Sequence, residues 1–92
     1  MEKYSSLFQQ VINLMPQVFD AHDFIIELIR QNPYDYFAIL HTFDDKVSLA
    51  NAQISGYMAD HASELDLIYS GEKHISLDIF RNPAECACYE KR

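Results

Sequence analysis

The feature that most constrains the fold is the stretch from Asp20 to Phe43, in which two strongly apolar segments meet at Asn32-Pro33. Apolar residues recur in it every three or four positions, which is the spacing of a helix that buries one face. Asn followed by Pro is typical of a helix start, because Asn caps free N–H groups and Pro presets the first backbone dihedral. We therefore expect one helix to end near Gln31 and the next to run from Pro33 to about Phe43 as the most buried helix.

Helical spacing also occurs on both sides of this stretch. The pattern over residues 4–15 predicts a first helix that ends or kinks at Pro16. The second helix begins either directly after Pro16 or later, with Asp20 as its N-cap. A further helix is expected from Lys46 to about Ala62. It carries a face of small residues, namely Ser48, Asn51, Ala52, Ser55, Gly56 and Ala59. That face either lets another backbone approach closely or forms a neutral exposed surface.

The C-terminal third gives mixed signals. Apolar and polar residues alternate over 65–69 and 75–79, on either side of a Ser-Gly-Glu-Lys sequence, which favours a β-hairpin with a four-residue loop. The alternative is a helical turn over residues 63–69, with Gly71 just past its C-terminus. Asn82-Pro83, with an acid two residues further on, repeats the earlier helix-start chemistry. It predicts a short final helix from Pro83 to about Lys91.

Together these patterns predict a mainly α fold. We expect a compact bundle of four to five helices in a single domain, residues 1–92, with a short β-hairpin near residues 65–80 as an option. Two glycines and three prolines leave little chain for long loops, which favours helices over a many-turned β fold. Three helices followed by a hairpin also have the order of a winged-helix domain.

The net charge of −7 is confined to one part of the chain. Residues 20–66 hold nine acidic residues against two basic ones, whereas the segments on either side each sum to zero. This charge either keeps a small protein in solution or forms an acidic face that binds a basic partner. It argues against nucleic-acid binding, because affinity for phosphate backbones depends on Lys and Arg.

No pattern in the chain specifies a reaction or a bound ion. The potential metal ligands besides carboxylates are His22, His41, His61, His74, Cys86 and Cys88, and their spacing matches no recognised zinc pattern. If residues 83–91 are helical, the two cysteines point away from each other. A cysteine nucleophile would need a nearby histidine, and nothing in the sequence brings one close. We therefore expect no cofactor, no metal site, no catalytic residue and no enzymatic activity.

The function that remains is a binding module that acts through protein–protein contacts, as an adaptor or as an inhibitor of a basic partner. The candidate partner-binding residues are Asp20, Asp23 and Glu27 on the outer stripe of the second helix, together with Tyr34 and Tyr57. Tyr89 is also expected to be at least partly exposed.

The alternative function is a winged-helix-like DNA-binding or regulatory domain, in which the helix Lys46–Ala62 would lie in the DNA groove. That helix has a single lysine and follows two aspartates, so it lacks the basic residues that normally contact DNA phosphates. The chain shows no signal peptide and no apolar run of the roughly 18 residues that span a bilayer. We therefore expect a cytoplasmic location without a membrane partner.

Overall fold

A computed structural model describes residues 1–92 and shows a mixed α/β fold, so the expected mainly α bundle is wrong. A short 3-10 turn, Glu2–Tyr4, precedes the first helix. The helices are α1 (Ser5–Leu14), α2 (Ala21–Gln31), α3 (Pro33–Thr42) and α4 (Val47–Asp60). The strands are β1 (Val18–Asp20), β2 (Leu67–Ile68), β3 (Lys73–Leu77) and β4 (Pro83–Lys91). None of the helices combines the length and the hydropathy needed to cross a membrane.

The sheet is built around β4, which pairs antiparallel with each of the other three strands. Its C-terminal half lies between β1 and β2, and its N-terminal half pairs with β3. The register places Phe19 opposite Tyr89, Leu67 opposite Lys91 and His74 opposite Cys86. The last segment of the chain therefore holds the N-terminal and C-terminal halves of the fold together.

The short final helix predicted from Pro83 is wrong, because this segment is the central strand of the sheet. Pro83 is the first residue of the strand, a position where the missing N–H is tolerated. The strand buries Cys86, Ala87 and Tyr89, and burial of Tyr89 raises the pKa of its hydroxyl to about 12. Long-range pairing and burial thus outweigh a local helix-start signal.

The hairpin expected near residues 65–80 is also corrected. Residues 67–68 and 73–77 are strands, as the alternation predicted, but they pair with β4 and not with each other. The β3–β4 hairpin turns instead at residues 78–82. There the Asp78 carboxylate accepts hydrogen bonds from the N–H groups of Phe80 and Asn82, both at 2.9 Å.

The start of α2 follows the second of the two alternatives, with Asp20 as the N-cap. The Asp20 Oδ1 atom accepts a hydrogen bond from the Asp23 N–H at 2.8 Å. Asp20 is also the last residue of β1, so a single residue joins a strand to a helix with no intervening loop. This tight junction fixes the direction in which α2 leaves the sheet.

The core is a cluster of 18 buried residues from α1 to α4 and the sheet. Aromatic rings form its centre. Phe8 and Phe24 meet edge to face with 5.7 Å between ring centroids, and the Phe19 and Tyr89 centroids are 5.6 Å apart. Such pairs add about 0.5–1.5 kcal/mol beyond the area that they bury. Phe24 also stacks on Phe19 with 6.4 Å between centroids, so helices α1 and α2 are anchored to the face of the sheet that carries Phe19 and Tyr89.

Helix α3 is not the most buried helix, contrary to the expectation from its composition. Only Tyr36 and Ile39 of its ten residues are buried, whereas α2 buries four residues. The Tyr36 hydroxyl donates to Asn51 of α4 at 2.7 Å. The apolar side of a helix is normally enclosed by its own protein. Here one side packs on α2 and α4, and large apolar side chains remain on the other.

Candidate functional site

A group of polar side chains lies where the start of α2 meets the β3–β4 hairpin. The Asp20 Oδ2 atom accepts a hydrogen bond from His74 Nε2 at 2.7 Å. His22 Nδ1 lies 2.7 Å from Ser76 Oγ, which in turn lies 3.5 Å from Cys86 Sγ. We call Asp20, His22, His74, Ser76 and Cys86 the polar cluster.

Strand geometry explains why these residues meet. Asp20 ends β1 and caps α2, so His22 falls in the first turn of that helix. His74 and Ser76 are two residues apart on β3, and alternate residues of a strand project from the same face. Cys86 lies opposite His74 in the register and shares that face. Segments near residues 20, 75 and 86 therefore converge through the sheet.

The Asp20 carboxylate is the electrostatic centre of the polar cluster, since it is only 5% exposed. Burial by itself would raise its pKa. Hydrogen bonds from the Asp23 N–H, from His74 and from Ser76, together with the charge of His74, outweigh burial and hold the pKa below its ordinary value. Asp20 is therefore ionised at neutral pH, and hydrogen bonds compensate its charge.

The pKa values of two neighbours of the polar cluster, Asp23 and Cys88, are raised, whereas that of Asp20 is lowered. Partial burial and the nearby Asp20 charge raise the pKa of Asp23. Burial, reinforced by Cys86, Asp20 and Glu72, raises the pKa of the Cys88 thiol. Because the thiolate is the reactive form of cysteine, Cys88 is poorly suited to act as a nucleophile at neutral pH.

Three members of the polar cluster have the chemistry to hold a metal ion. One potential ligand atom from each of Asp20, His22 and Cys86 lies within 4.8 Å of the other two. The sequence identified His22 and Cys86 as isolated potential ligands. Their proximity was missed because the helix expected at residues 83–91 removed the pairing of Cys86 with β3. Residues 84–89 read Ala-Glu-Cys-Ala-Cys-Tyr, which has no regular alternation of apolar and polar residues, so the local sequence carried no clear signal for the strand.

A cavity of about 450 Å³ adjoins the polar cluster, and both His22 and Cys86 line it. The opposite wall is the small face of α4, made of Ser48, Asn51, Ala52, Ser55, Gly56 and Ala59. Close approach of another backbone, one of the two alternatives for this face, does not occur at Gly56. A Cβ atom added there would have no heavy atom within 4 Å. The small side chains instead leave open space beside the histidine and the thiol.

The chain was compared with protein families, with curated proteins and with solved structures. No protein-family model, curated protein or solved structure matches this chain. The function therefore has to be inferred from the residues themselves.

The open space beside α4 leads to a test with two glycines. Gly56→Ala should raise the free energy of unfolding by up to about 1 kcal/mol, because alanine is the better helix former and nothing obstructs its methyl group. Gly71→Ala is the matched control. Its φ of +86° disfavours any side chain, so it should lower the free energy of unfolding by about 1–2 kcal/mol. Denaturant unfolding measures the free energy of unfolding of both variants. A loss of stability in Gly56→Ala would show that the space beside Gly56 is not open.

The acidic residues predicted to bind a partner have different surroundings. Asp20 is buried and accepts hydrogen bonds from the Asp23 N–H and from His74. Asp23 is exposed in the first turn of α2. Glu27 is half-buried and accepts hydrogen bonds from Arg30 at 3.3 Å and Gln31 at 2.9 Å. Of the three carboxylates, only that of Asp23 is both exposed and without a side-chain partner that neutralises it.

The tyrosines predicted to lie at the surface also differ from one another. Tyr34 is 85% exposed. Tyr57 is half-buried, and its ring stacks on His61 with 4.2 Å between centroids. Tyr89 is 1% exposed and donates a hydrogen bond to the Ser55 carbonyl at 3.1 Å, so its expected exposure is wrong. Tyr34 is therefore the tyrosine that is most available to a partner.

Tyr34 belongs to a continuous exposed stripe, which we call the outer face of α3. It consists of Tyr34, Phe37, Ala38 and His41, whose spacing of three and four places them on one side of the helix. Phe37 is 56% exposed. Single exposed apolar residues are common, but adjacent exposed aromatic rings on one helix are typical of an interaction surface.

Proposed function

We propose that this protein is a binding module that acts through contact with another protein, and that the outer face of α3 is its contact surface. The observation that carries the proposal is the exposure of Tyr34 and Phe37 on the same side of α3, opposite its buried residues Tyr36 and Ile39. Aromatic residues are enriched in the centres of protein interfaces, where they provide much of the binding energy. The proposal involves no catalysis and no cofactor.

The charge around this face indicates the chemistry of the partner. Asp35 lies in α3, and Asp44 and Asp45 follow the helix directly; all three are exposed. They belong to the segment that carries the whole net charge of −7. Charge complementarity favours a partner with an apolar pocket bordered by Lys and Arg. The partner in this proposal is therefore a basic protein with a pocket for aromatic rings.

The test compares capture of proteins from native extract by the unchanged chain and by the double variant Tyr34→Ala/Phe37→Ala. The exposed positions leave the core intact, so the variant should fold. Loss of two aromatic anchors should weaken the specific complex about 10-fold or more. High salt should weaken it further, because the acidic border of the face is exposed and screened.

Ile75→Ala is the control, since Ile75 is 73% exposed on β3 and lies outside the outer face of α3. It should capture the same protein as the unchanged chain. Equal capture by the double variant would contradict the proposal. Binding of the unchanged chain to duplex DNA at low salt, with an affinity that falls steeply as salt is added, would favour a nucleic-acid function instead.

A further inference from the structure

We propose that Asp20, His22 and Cys86 form a binding site for a transition metal ion, and that Zn²⁺ is the ion that fits their chemistry best. One ligand atom from each lies within 4.8 Å of the others. In a tetrahedral zinc site, the metal–ligand bond lengths place neighbouring ligand atoms roughly 3.3–3.6 Å apart. Small side-chain rotations would therefore bring the three atoms to an ion.

The donor set identifies the class of metal. A thiolate sulfur, an imidazole nitrogen and a carboxylate oxygen together are typical ligands of Zn²⁺. Ca²⁺ and Mg²⁺ prefer sites made of oxygen atoms, so the cysteine and the histidine argue against them. Asp20 and Cys86 are buried and His22 is half-buried. An ion at this position would be largely shielded from bulk water.

The other contacts of the ligands orient them for a metal. The Asp23 N–H and His74 each bind one oxygen of Asp20, and each carboxylate oxygen can accept a second partner. His22 Nδ1 lies 2.7 Å from Ser76 Oγ. This contact holds the imidazole ring of His22 in place beside Asp20 and Cys86. Hydrogen bonds of this kind to the ligands of a metal fix their orientation and tautomer.

Three protein ligands leave one coordination position open. Structural zinc sites have four protein ligands, whereas sites with three hold a water molecule or another small ligand in the fourth position. His22 and Cys86 line the cavity of about 450 Å³. The open position is therefore next to a space large enough for a small molecule, which distinguishes this site from a purely structural one. The inference does not depend on the outer face of α3.

The test is titration of the metal-free full chain with Zn²⁺ and with Co²⁺ as a spectroscopic probe. One ion per chain should bind, and the Co²⁺ complex should show the absorption of a thiolate ligand. Zn²⁺ should also raise the melting temperature, because a ligand that binds the folded state stabilises it. Absence of binding at micromolar chain concentration would overturn the proposal.

Single substitutions assign the ligands. Cys86→Ser and His22→Gln should each lower the affinity for Zn²⁺ about 100-fold or more, and His74→Gln, which alters only the orientation of Asp20, about 10–100-fold. Cys88→Ser and His41→Gln are the controls and should bind as the unchanged chain does. Unfolding curves without metal verify that each variant folds. Unchanged affinity in Cys86→Ser, or a thiolate absorption that is lost in Cys88→Ser, would overturn the proposal.

Discussion

Tyr89→Ala is expected to lower the free energy of unfolding by about 3–5 kcal/mol, the range found when a large buried aromatic side chain is removed. Tyr89 lies on the central strand, and its ring packs against Phe19 of β1 and against Tyr69, with centroids 5.6 and 5.5 Å away. Its hydroxyl bonds the Ser55 carbonyl on α4. The substitution thus removes contacts to β1, to the segment that follows β2 and to helix α4. Urea or guanidinium unfolding measures the loss.

Glu90→Ala is the matched control for Tyr89→Ala. Glu90 is the next residue of β4 and is exposed on the opposite face, so its replacement should change the free energy of unfolding by less than about 0.5 kcal/mol. The contrast follows from the alternation of a strand. A small effect of Tyr89→Ala would show that the packing of this ring contributes little to the stability of the fold.

Asp20→Ala is expected to lower the free energy of unfolding by about 2–4 kcal/mol when no metal is added. Loss of an N-cap costs about 0.5–2 kcal/mol, and loss of a hydrogen bond to a charged group costs about 1.5–3 kcal/mol. Asp20 provides both, through the Asp23 N–H and through His74. Asp20→Asn should show a smaller loss, because Asn also caps helices well. Thermal or denaturant unfolding measures the difference.

Asp23→Ala separates this effect from a general loss of negative charge. Asp23 lies in the same turn, is exposed, and has a raised pKa because partial burial and the Asp20 charge disfavour its ionised form. Its removal should leave stability nearly unchanged or slightly higher. Equal losses for Asp20→Ala and Asp23→Ala would mean that Asp20 acts as an ordinary surface charge.

The helical half of the fold could be predicted from the sequence because its signals are local. The N-cap role of Asp20 and the start of α3 at Pro33 depend on neighbouring residues only. The strand β4 could not be predicted in this way. Asn82-Pro83 carries the same start chemistry as Asn32-Pro33, with an acid two residues after the proline in both segments, yet one segment is a helix and the other a strand. The strand is held by pairing with β3 in a hairpin and with β1, whose residues lie about 70 positions earlier in the chain.

The candidate sites, too, could be predicted from the sequence only in part. The sequence identified Tyr34 as an exposed ring, but periodicity cannot show whether the second apolar side of α3 is enclosed by its own protein or left exposed. His22, His74 and Cys86 were recognised only as separate residues. His22 and Ser76 are 54 positions apart, as are Asp20 and His74, so the polar cluster exists only once the sheet has formed.

Photo-crosslinking at the outer face of α3, in the cells that produce the protein, tests the central claim most directly. A photoreactive analogue placed at Phe37 should form a covalent adduct with one protein that is rich in Lys and Arg near the contact. The same analogue placed at Ile75, which is more exposed than Phe37 but lies outside the outer face of α3, should not form that adduct. The claim would be contradicted if the two positions gave the same adducts, or if Phe37 gave none.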